Sequence, residues 1–281
     1  MVVKMNSLGD RIKEWYEDRT RYYLPRRTYT IARIDGKAFH TWTKGLERPF
    51  DASFQALMDH TTMKLCKYIQ GAAFAYTQSD EASILMIDFD PSGEKLGTSA
   101  WFDGNIQKLC SVGASMFTAI FNDSVHMLDQ DKYDIPQRSP AFFDCRVFTI
   151  PDPTEVYNYF IFRQNDAVRN SIQSAARSFY SERECFEKNQ SQMQEMIFQK
   201  GQNWNDYPVR SKRGGFIYYD DTPTKGVALN RRTGSQVEYD RPVGWTLHPS
   251  VPTFTSQEGR SWLFSLIPKL PDLSVKEEDI D

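Results

Sequence analysis

The chain has 281 residues, 40% of them hydrophobic and 14% aromatic, and a formal net charge of −3. This aromatic content excludes a disordered chain, and the length allows one large domain or two small ones. The charge excludes a polycation that binds nucleic acid through bulk charge, although a local basic face remains open. No apolar run approaches the roughly 18 residues of a membrane span, and four cysteines without a CxxC pair predict a reduced, cytoplasmic protein.

Hydrophobic periodicity predicts alternating helices and strands along the first two thirds of the chain. In chain order these are helix 10–23, strand 29–34, a helix from 51 to 70, hairpin strands 73–76 and 83–87, helix 99–122, strand 142–150 and helix 154–180. The order β-α-β-β-α-β is that of the ferredoxin-like arrangement, an α+β fold whose antiparallel four-stranded sheet carries helices on one face. Residues 200–245 show only short β-like runs and are predicted to be largely irregular.

Two acidic segments converge in this topology. The first strand runs parallel to the second, and the third returns between them, so the end of strand one lies beside the hairpin turn. Asp35 occupies the first place, and Asp80 and Glu81 occupy the second. Carboxylate oxygens at a strand edge suit Mg²⁺, and two such ions can hold the attacking and leaving oxygens of a phosphoryl transfer. Either segment alone is typical of an ordinary turn; only their joint placement favours a metal–nucleotide site.

The residues after Asp35 add a phosphate-binding character. Gly36 lets the backbone approach a ligand closely, and the amides of residues 37–40 are predicted to be free to face a phosphate chain. Lys37, Lys44 and Arg48 add positive charge nearby.

Four segments together resemble the tRNA-His guanylyltransferase family. They are residues 33–40 (RIDGKAFH), 76–81 (YTQSDE), 143–147 (FDCRV) and 163–166 (RQND) with Asn170. Their order and spacing match, and the resemblance extends over about residues 5 to 220. Within 168–171 only Asn170 matches the His-Ile-Asn-Asn stretch of eukaryotic members, and residues 196–205 are similar to bacterial-type relatives, which resemble template-dependent 5′-end repair polymerases.

The resemblance implies a polymerase palm in residues 1–150, completed by a helical and irregular region, 151–281, that contacts tRNA. It implies 3′–5′ addition of nucleotides to the tRNA 5′ end, either as templated repair or as G addition to tRNA-His, through 5′ activation and pyrophosphate release. ATP and GTP are the implied substrates, and a homotetramer is the implied assembly. Two Mg²⁺ ions are expected on Asp35, the Gly36 carbonyl and Asp80, with Asp35, Asp80 and Glu81 as the catalytic set.

The remaining expected site residues fall into two groups. Those expected to bind nucleotide are Lys37, Ala38, Phe39, His40, Ser79, Lys44, Arg48, Arg146 and Asn170. Those expected to bind tRNA are Arg26, Arg27, Arg163, Arg169, Lys212 and Arg213.

Two other functions use the same fold. A palm-type nucleotide cyclase or dinucleotide synthase would act on GTP or ATP at the same metal edge without RNA. A non-catalytic RNA-binding module would carry paired aromatic residues on its central strands, whereas acidic residues stand at the strand ends here.

Overall fold

The computed structural model describes residues 7–95, 98–127, 139–229, 232 and 234–272. The strands are β1 Tyr29–Gly36, β2 Ala72–Gln78, β3 Glu81–Ile87, β4 Phe143–Ile150, β5 Gly215–Leu229 and β6 Gln236–Leu247. The α-helices are α1 Leu8–Ile12, α2 Phe39–Trp42, α3 Ala52–Cys66, α4 Ile106–Met127, α5 Pro153–Arg177, α6 Glu182–Cys185, α7 Gln190–Gln199, α8 Val209–Arg213 and α9 Gln257–Leu266. None of the helices in these ranges is long and apolar enough to cross a bilayer.

The described strands form one antiparallel sheet in the order β4-β1-β3-β2-β5-β6. Its first four members have the strand order and the β-α-β-β-α-β connectivity predicted from the sequence, so the ferredoxin-like α+β fold is confirmed. The predicted first helix is shorter than expected: α1 passes into a π-helical turn, Lys13–Glu17, and a 3-10 turn, Asp18–Thr20. The second long helix starts late because a 3-10 turn, Trp101–Gly104, precedes α4.

Capping side chains set where the two helices nearest the site begin. Asp51 accepts a hydrogen bond from the Phe54 amide at 2.8 Å and starts α3, as predicted. Asp152 accepts from the Thr154 amide at 2.7 Å, and Pro153 occupies the first turn of α5, where its missing N–H is not needed.

Helices cover both faces of the sheet, rather than the one face predicted. Because side chains alternate along a strand, Ala32 and Ile34 face α3 and α4, where Phe117 and Phe121 complete one core. Tyr29, Ile31 and Leu85 project from the opposite face and pack against α5 and α9 in a second core. The helices that follow the predicted palm therefore bury the face that a four-stranded sheet would have left in water.

β5 and β6 form a long two-stranded ribbon, where the sequence predicts only short β-like runs. β5 has 15 residues and β6 has 12, and β5 joins the sheet through β2. Gly214 allows this approach: its φ is +78°, and a Cβ there would lie 2.4 Å from the Thr77 carbonyl oxygen. Beyond the sheet, residues 222–229 and 236–242, hereafter the ribbon tip, are almost entirely exposed.

Candidate active site

The sheet brings the two predicted aspartates to one edge. Asp35, at the end of β1, is opposite Glu81 in register, and the Gly36 amide donates to the Asp80 carbonyl at 3.1 Å. The hairpin is tighter than predicted, because Gln78 pairs with Glu81 and only Ser79 and Asp80 remain in the turn. Ser79 has a φ of +47°, which suits the first central position of a two-residue hairpin turn.

Negative charge accumulates at this edge. Burial raises the pKa of the Asp80 carboxyl, a Ser79 hydrogen bond opposes the rise, and the charge of Asp35 adds to it. Arg146 lies 3.9 Å from an Asp35 oxygen but donates at 3.1 Å to Asp144, the residue opposite Asp35 on β4. Asp144 was not among the predicted site residues, although it lies inside the segment 143–147 that carries the resemblance, two residues before Arg146.

The donor set fits a hard divalent cation. Two carboxylates and the adjacent Gly36 backbone offer oxygen ligands, and the mutual repulsion of the carboxylates is a charge excess that a cation relieves. No group of three or more His, Cys, Asp or Glu side chains in the described ranges could hold an ion on its own. This matches Mg²⁺, which binds one or two carboxylates and takes its other ligands from water and substrate phosphates.

A cleft of about 400 Å³ opens at the aspartate edge. Predicted site residues form much of its lining: Gly36, Ala38, Phe39, His40, Ser79 and Asp80. The prediction of free amides needs one correction, because the Lys37 amide donates to the Phe142 carbonyl at 2.8 Å. Ala38 and Ser79 both have a left-handed backbone, with φ of +55° and +47°. Such strained non-glycine residues cluster at functional sites.

A second cavity, of about 170 Å³, adjoins the cleft, and Thr43, Phe54 and Ser79 line both. Its wall includes the predicted residues Arg48 and Asn170. The exposed side chains of Lys37 and Lys44 belong to the same segment but line neither space.

Arg210 completes the cavity wall and was not predicted. It donates to both oxygens of the buried Asp59, at 2.8 and 2.9 Å, and Thr77 donates to the same carboxylate at 2.5 Å. Asp59 is on α3, Thr77 on β2 and Arg210 on α8, so the network ties three distant segments together. No periodicity or motif of the sequence reveals it.

Glu81 and Arg163 form a buried ion pair behind the aspartate edge. The Arg163 Nη1 to Glu81 Oε2 distance is 2.7 Å, and the side chains are 5% and 10% exposed. Burial raises the pKa of Glu81, and the Arg163 guanidinium opposes the rise. This burial corrects the assignment of Arg163 to a tRNA surface, and it leaves Glu81 facing an arginine rather than the cleft.

The other residues predicted for tRNA do not form one surface. Lys212 is buried, where its ammonium donates to the Asn205 carbonyl and lies over the Trp204 ring, so this assignment is also corrected. Arg26 and Arg27 precede β1 and contact Asp88, roughly 20 Å from Asp35 along the strand.

Arg169 and Arg213 are nearer the cavity. Arg169 pairs with Asp166 on the half-exposed side of α5, and Arg213 ends α8 next to the cavity wall. The assignment of these two residues to tRNA stays a prediction.

The fold and the edge define a class. A ferredoxin-like sheet with one aspartate at the end of β1 and another at the β2–β3 turn, where a cleft opens beside Asp80, is a palm of the kind that transfers nucleotides.

Comparisons with known proteins agree with this class. The family model for tRNA-His guanylyltransferase (Thg1) matches residues 9–151, about half of the chain. A tRNA(His) guanylyltransferase from Debaryomyces hansenii is 26% identical over 238 residues, covering 80% of this chain and 86% of the relative. An uncharacterised protein of Acanthamoeba polyphaga mimivirus is 27% identical over 225 residues, covering 75% and 76%.

Solved structures give the same result over more of the chain. A bacterial Thg1-like protein in complex with ATP is 36% identical and covers 93% of this chain and 99% of its own, with a TM-score of 0.75. A bacterial Thg1-like protein in complex with GTP is 35% identical and covers 93% of this chain and 99% of its own, with a TM-score of 0.69. The chain therefore belongs to the tRNA-His guanylyltransferase family, a family of nucleotidyltransferases.

Proposed function

We propose that this protein is an Mg²⁺-dependent nucleotidyltransferase that adds nucleotides in the 3′–5′ direction to the 5′ end of tRNA. The observation that carries the proposal is the continuity of three features: the aspartate edge, the cleft and the adjoining cavity, joined through Ser79. The family and the ATP- and GTP-bound structures of similar proteins support nucleoside triphosphates as substrates.

A triphosphate fits this arrangement in one direction. The adjoining cavity has apolar walls at Leu46, Pro49 and Phe54 and suits a nucleoside, which stacks and excludes water. The open cleft beside it then receives the phosphates, next to the Ala38, Phe39 and His40 amides, which have no backbone partner among the described residues. Arg48 at the cavity wall and Arg146 at the edge supply positive charge to the phosphates.

Bound Mg²⁺, held by Asp35, Asp80 and the Gly36 carbonyl, supplies neutralisation of phosphate charge and activation of the attacking hydroxyl. The chain itself holds these ligands in place. β1 positions Asp35, and the hairpin turn positions Asp80, whose backbone carbonyl accepts a hydrogen bond from the Gly36 amide. Glu81 stabilises that turn through Arg163 and acts as a positioning residue.

The RNA side of the reaction rests on the family. The Debaryomyces hansenii relative is a tRNA(His) guanylyltransferase, which supports tRNA as the substrate. We favour templated 5′-end repair over an exclusive action on tRNA-His because residues 196–205 resemble the bacterial-type relatives. Arg169 and Arg213 are the predicted RNA contacts that the geometry still supports. The homotetramer, the cytoplasmic location and the division of the chain at residue 150 remain predictions.

The test is to offer full-length and 5′-truncated tRNAs with labelled nucleotides, ATP and Mg²⁺. Extension of truncated tRNA that follows the opposing strand is the expected result. A single untemplated G on tRNA-His alone would replace repair with the dedicated activity. A parallel reaction with GTP and Mg²⁺ but no RNA separates the cyclase or dinucleotide synthase: a cyclic or linked product there, with no tRNA extension, would contradict the proposal.

A further inference from the structure

Gln78 lines the cavity and carries a buried side-chain carbonyl without a hydrogen-bond partner among the described residues. The residue is 4% exposed, and the unpaired atom is its Oε1. Buried polar groups are rarely left unpaired, because the group has lost its water without gaining a substitute. The described ranges contain four other such atoms, on Arg33, Thr61, Ser124 and Arg163, and none of those residues lines the cavity or the cleft.

The neighbouring polar groups of the wall already have partners. Arg210 is held by Asp59, and the Gln55 amide donates to the Ser211 hydroxyl at 3.0 Å and accepts from it at 3.2 Å. Ser171 Oγ donates to the Val168 carbonyl at 2.8 Å. Among the described residues that line the cavity, only Gln78 has a side-chain polar atom that is shielded from solvent and lacks a hydrogen-bond partner, which marks this residue as the place where a ligand donor is missing.

The position of Gln78 in the sheet decides which part of a ligand it meets. It ends β2 and directly precedes Ser79, the residue shared by the cavity and the cleft, so it stands on the nucleoside side of the junction with the phosphates. An amide carbonyl accepts hydrogen bonds, and the phosphates of a metal-bound triphosphate offer no donor. The nucleoside does, through base N–H and ribose O–H groups.

We propose that Gln78 recognises the nucleoside: its Oε1 accepts a hydrogen bond from an N–H or O–H donor of the bound nucleoside triphosphate. The inference rests on the proposed function, since it needs a nucleotide in the cavity. It makes Gln78 a specificity-determining residue, because a ligand without that donor leaves the carbonyl buried and unpaired.

The test compares Gln78→Met with the wild-type chain in calorimetric titrations with GTP, ATP and inorganic tripolyphosphate, all with Mg²⁺. Methionine fills similar space without an acceptor. The dissociation constants of GTP and ATP should rise about tenfold, the loss of one hydrogen bond to a buried group. Tripolyphosphate, which lacks a nucleoside, should bind both proteins equally. The melting temperature of the free variant should stay the same or rise, because an unpaired acceptor has been removed.

Gln164→Met is the matched control, since Gln164 is as buried as Gln78, lines neither the cavity nor the cleft, and is already paired with the Pro252 carbonyl and the Phe254 amide. It should lower the melting temperature and change nucleotide affinity by less than about threefold, the loss of a bond that serves the fold. In a further arm, 2′-deoxy-GTP identifies the donor. If Gln78→Met leaves the affinity for 2′-deoxy-GTP unchanged, the donor is the 2′-hydroxyl. If the substitution weakens the binding of 2′-deoxy-GTP as much as that of GTP, the donor lies elsewhere on the nucleoside.

Three results would overturn the inference. The first is wild-type affinity for GTP and ATP in Gln78→Met. The second is an equal loss of tripolyphosphate binding in that variant. The third is an equal loss of nucleotide affinity in the Gln78 and Gln164 variants. In each case the wild-type chain still binds nucleotide and the proposed function stands. Failure of the wild-type chain itself to bind any nucleoside triphosphate would instead contradict the proposed function.

Discussion

An ion pair lies behind the active site and another lies on the ribbon tip, but the first is buried and the second is exposed to water. Behind the site, the side chains of Arg163 and Glu81 are 5% and 10% exposed, while Lys225 and Asp240 of the ribbon tip are 67% and 69% exposed at an N–O distance of 2.6 Å. Water screens the pair on the ribbon tip, so that pair contributes little. The buried pair has lost its hydration, and each partner depends on the other. A short ion-pair distance therefore says little about energy until burial is known.

The largest expected contrast is in activity. Asp80→Asn should lower nucleotide addition by about a thousandfold or more, because it removes one of two carboxylates from the metal edge. Asp240→Asn, an equivalent change on the ribbon tip, should leave the rate near that of the wild type. The measurement is single-turnover extension of a labelled tRNA, with circular dichroism to verify folding. Wild-type extension by Asp80→Asn would remove Asp80 from the catalytic set.

The next largest effect is in stability. Arg163→Met should lower the free energy of unfolding by about 3–5 kcal/mol, since it leaves the Glu81 carboxylate buried without its partner. Urea denaturation measures this change. The double variant Glu81→Gln/Arg163→Met should recover a large part of the loss because no unpaired charge remains. Equal losses in the single and double variants would mean that packing, not charge, explains the effect.

A smaller effect is expected at the cavity wall. Asp59→Asn should lower the free energy of unfolding by about 1–3 kcal/mol, as it weakens the charged acceptor that holds Arg210 and Thr77. Because Arg210 lines the cavity, KM for the nucleoside triphosphate should rise more than kcat falls. Steady-state kinetics with varied GTP measures both. A fall in kcat with KM unchanged would place the network on the reaction step instead of the nucleotide.

The smallest effect belongs to the ribbon tip. Lys225→Met should change the free energy of unfolding by less than about 1 kcal/mol, and the change should shrink further in high salt. Denaturation at two salt concentrations provides the measurement. A loss as large as that of Arg163→Met would show that the ribbon tip is buried against another molecule in solution.

Prediction from the sequence succeeded where the signal was local or followed from strand order. Alternation located β1 and β4, Asp51 located the start of α3, and the β-α-β-β-α-β order was enough to bring Asp35 beside Asp80. Prediction failed where it had to decide whether a charged side chain is buried or exposed. Arg163 and Lys212 look like surface residues in the sequence, because arginine and lysine are seldom buried, and only their partners in space explain their burial.

The sequence by itself determined the fold class, the family and the acidic edge, because these depend on periodicity, element order and short motifs that are contiguous in the chain. The tertiary structure alone decided the cavity and its chemistry. The Asp59–Arg210 network joins residues 151 positions apart, and the unpaired carbonyl of Gln78 is recognisable only once every neighbouring partner has been placed. The satisfaction of a buried polar group is a property of its whole surroundings, so no local pattern of residues can reveal it.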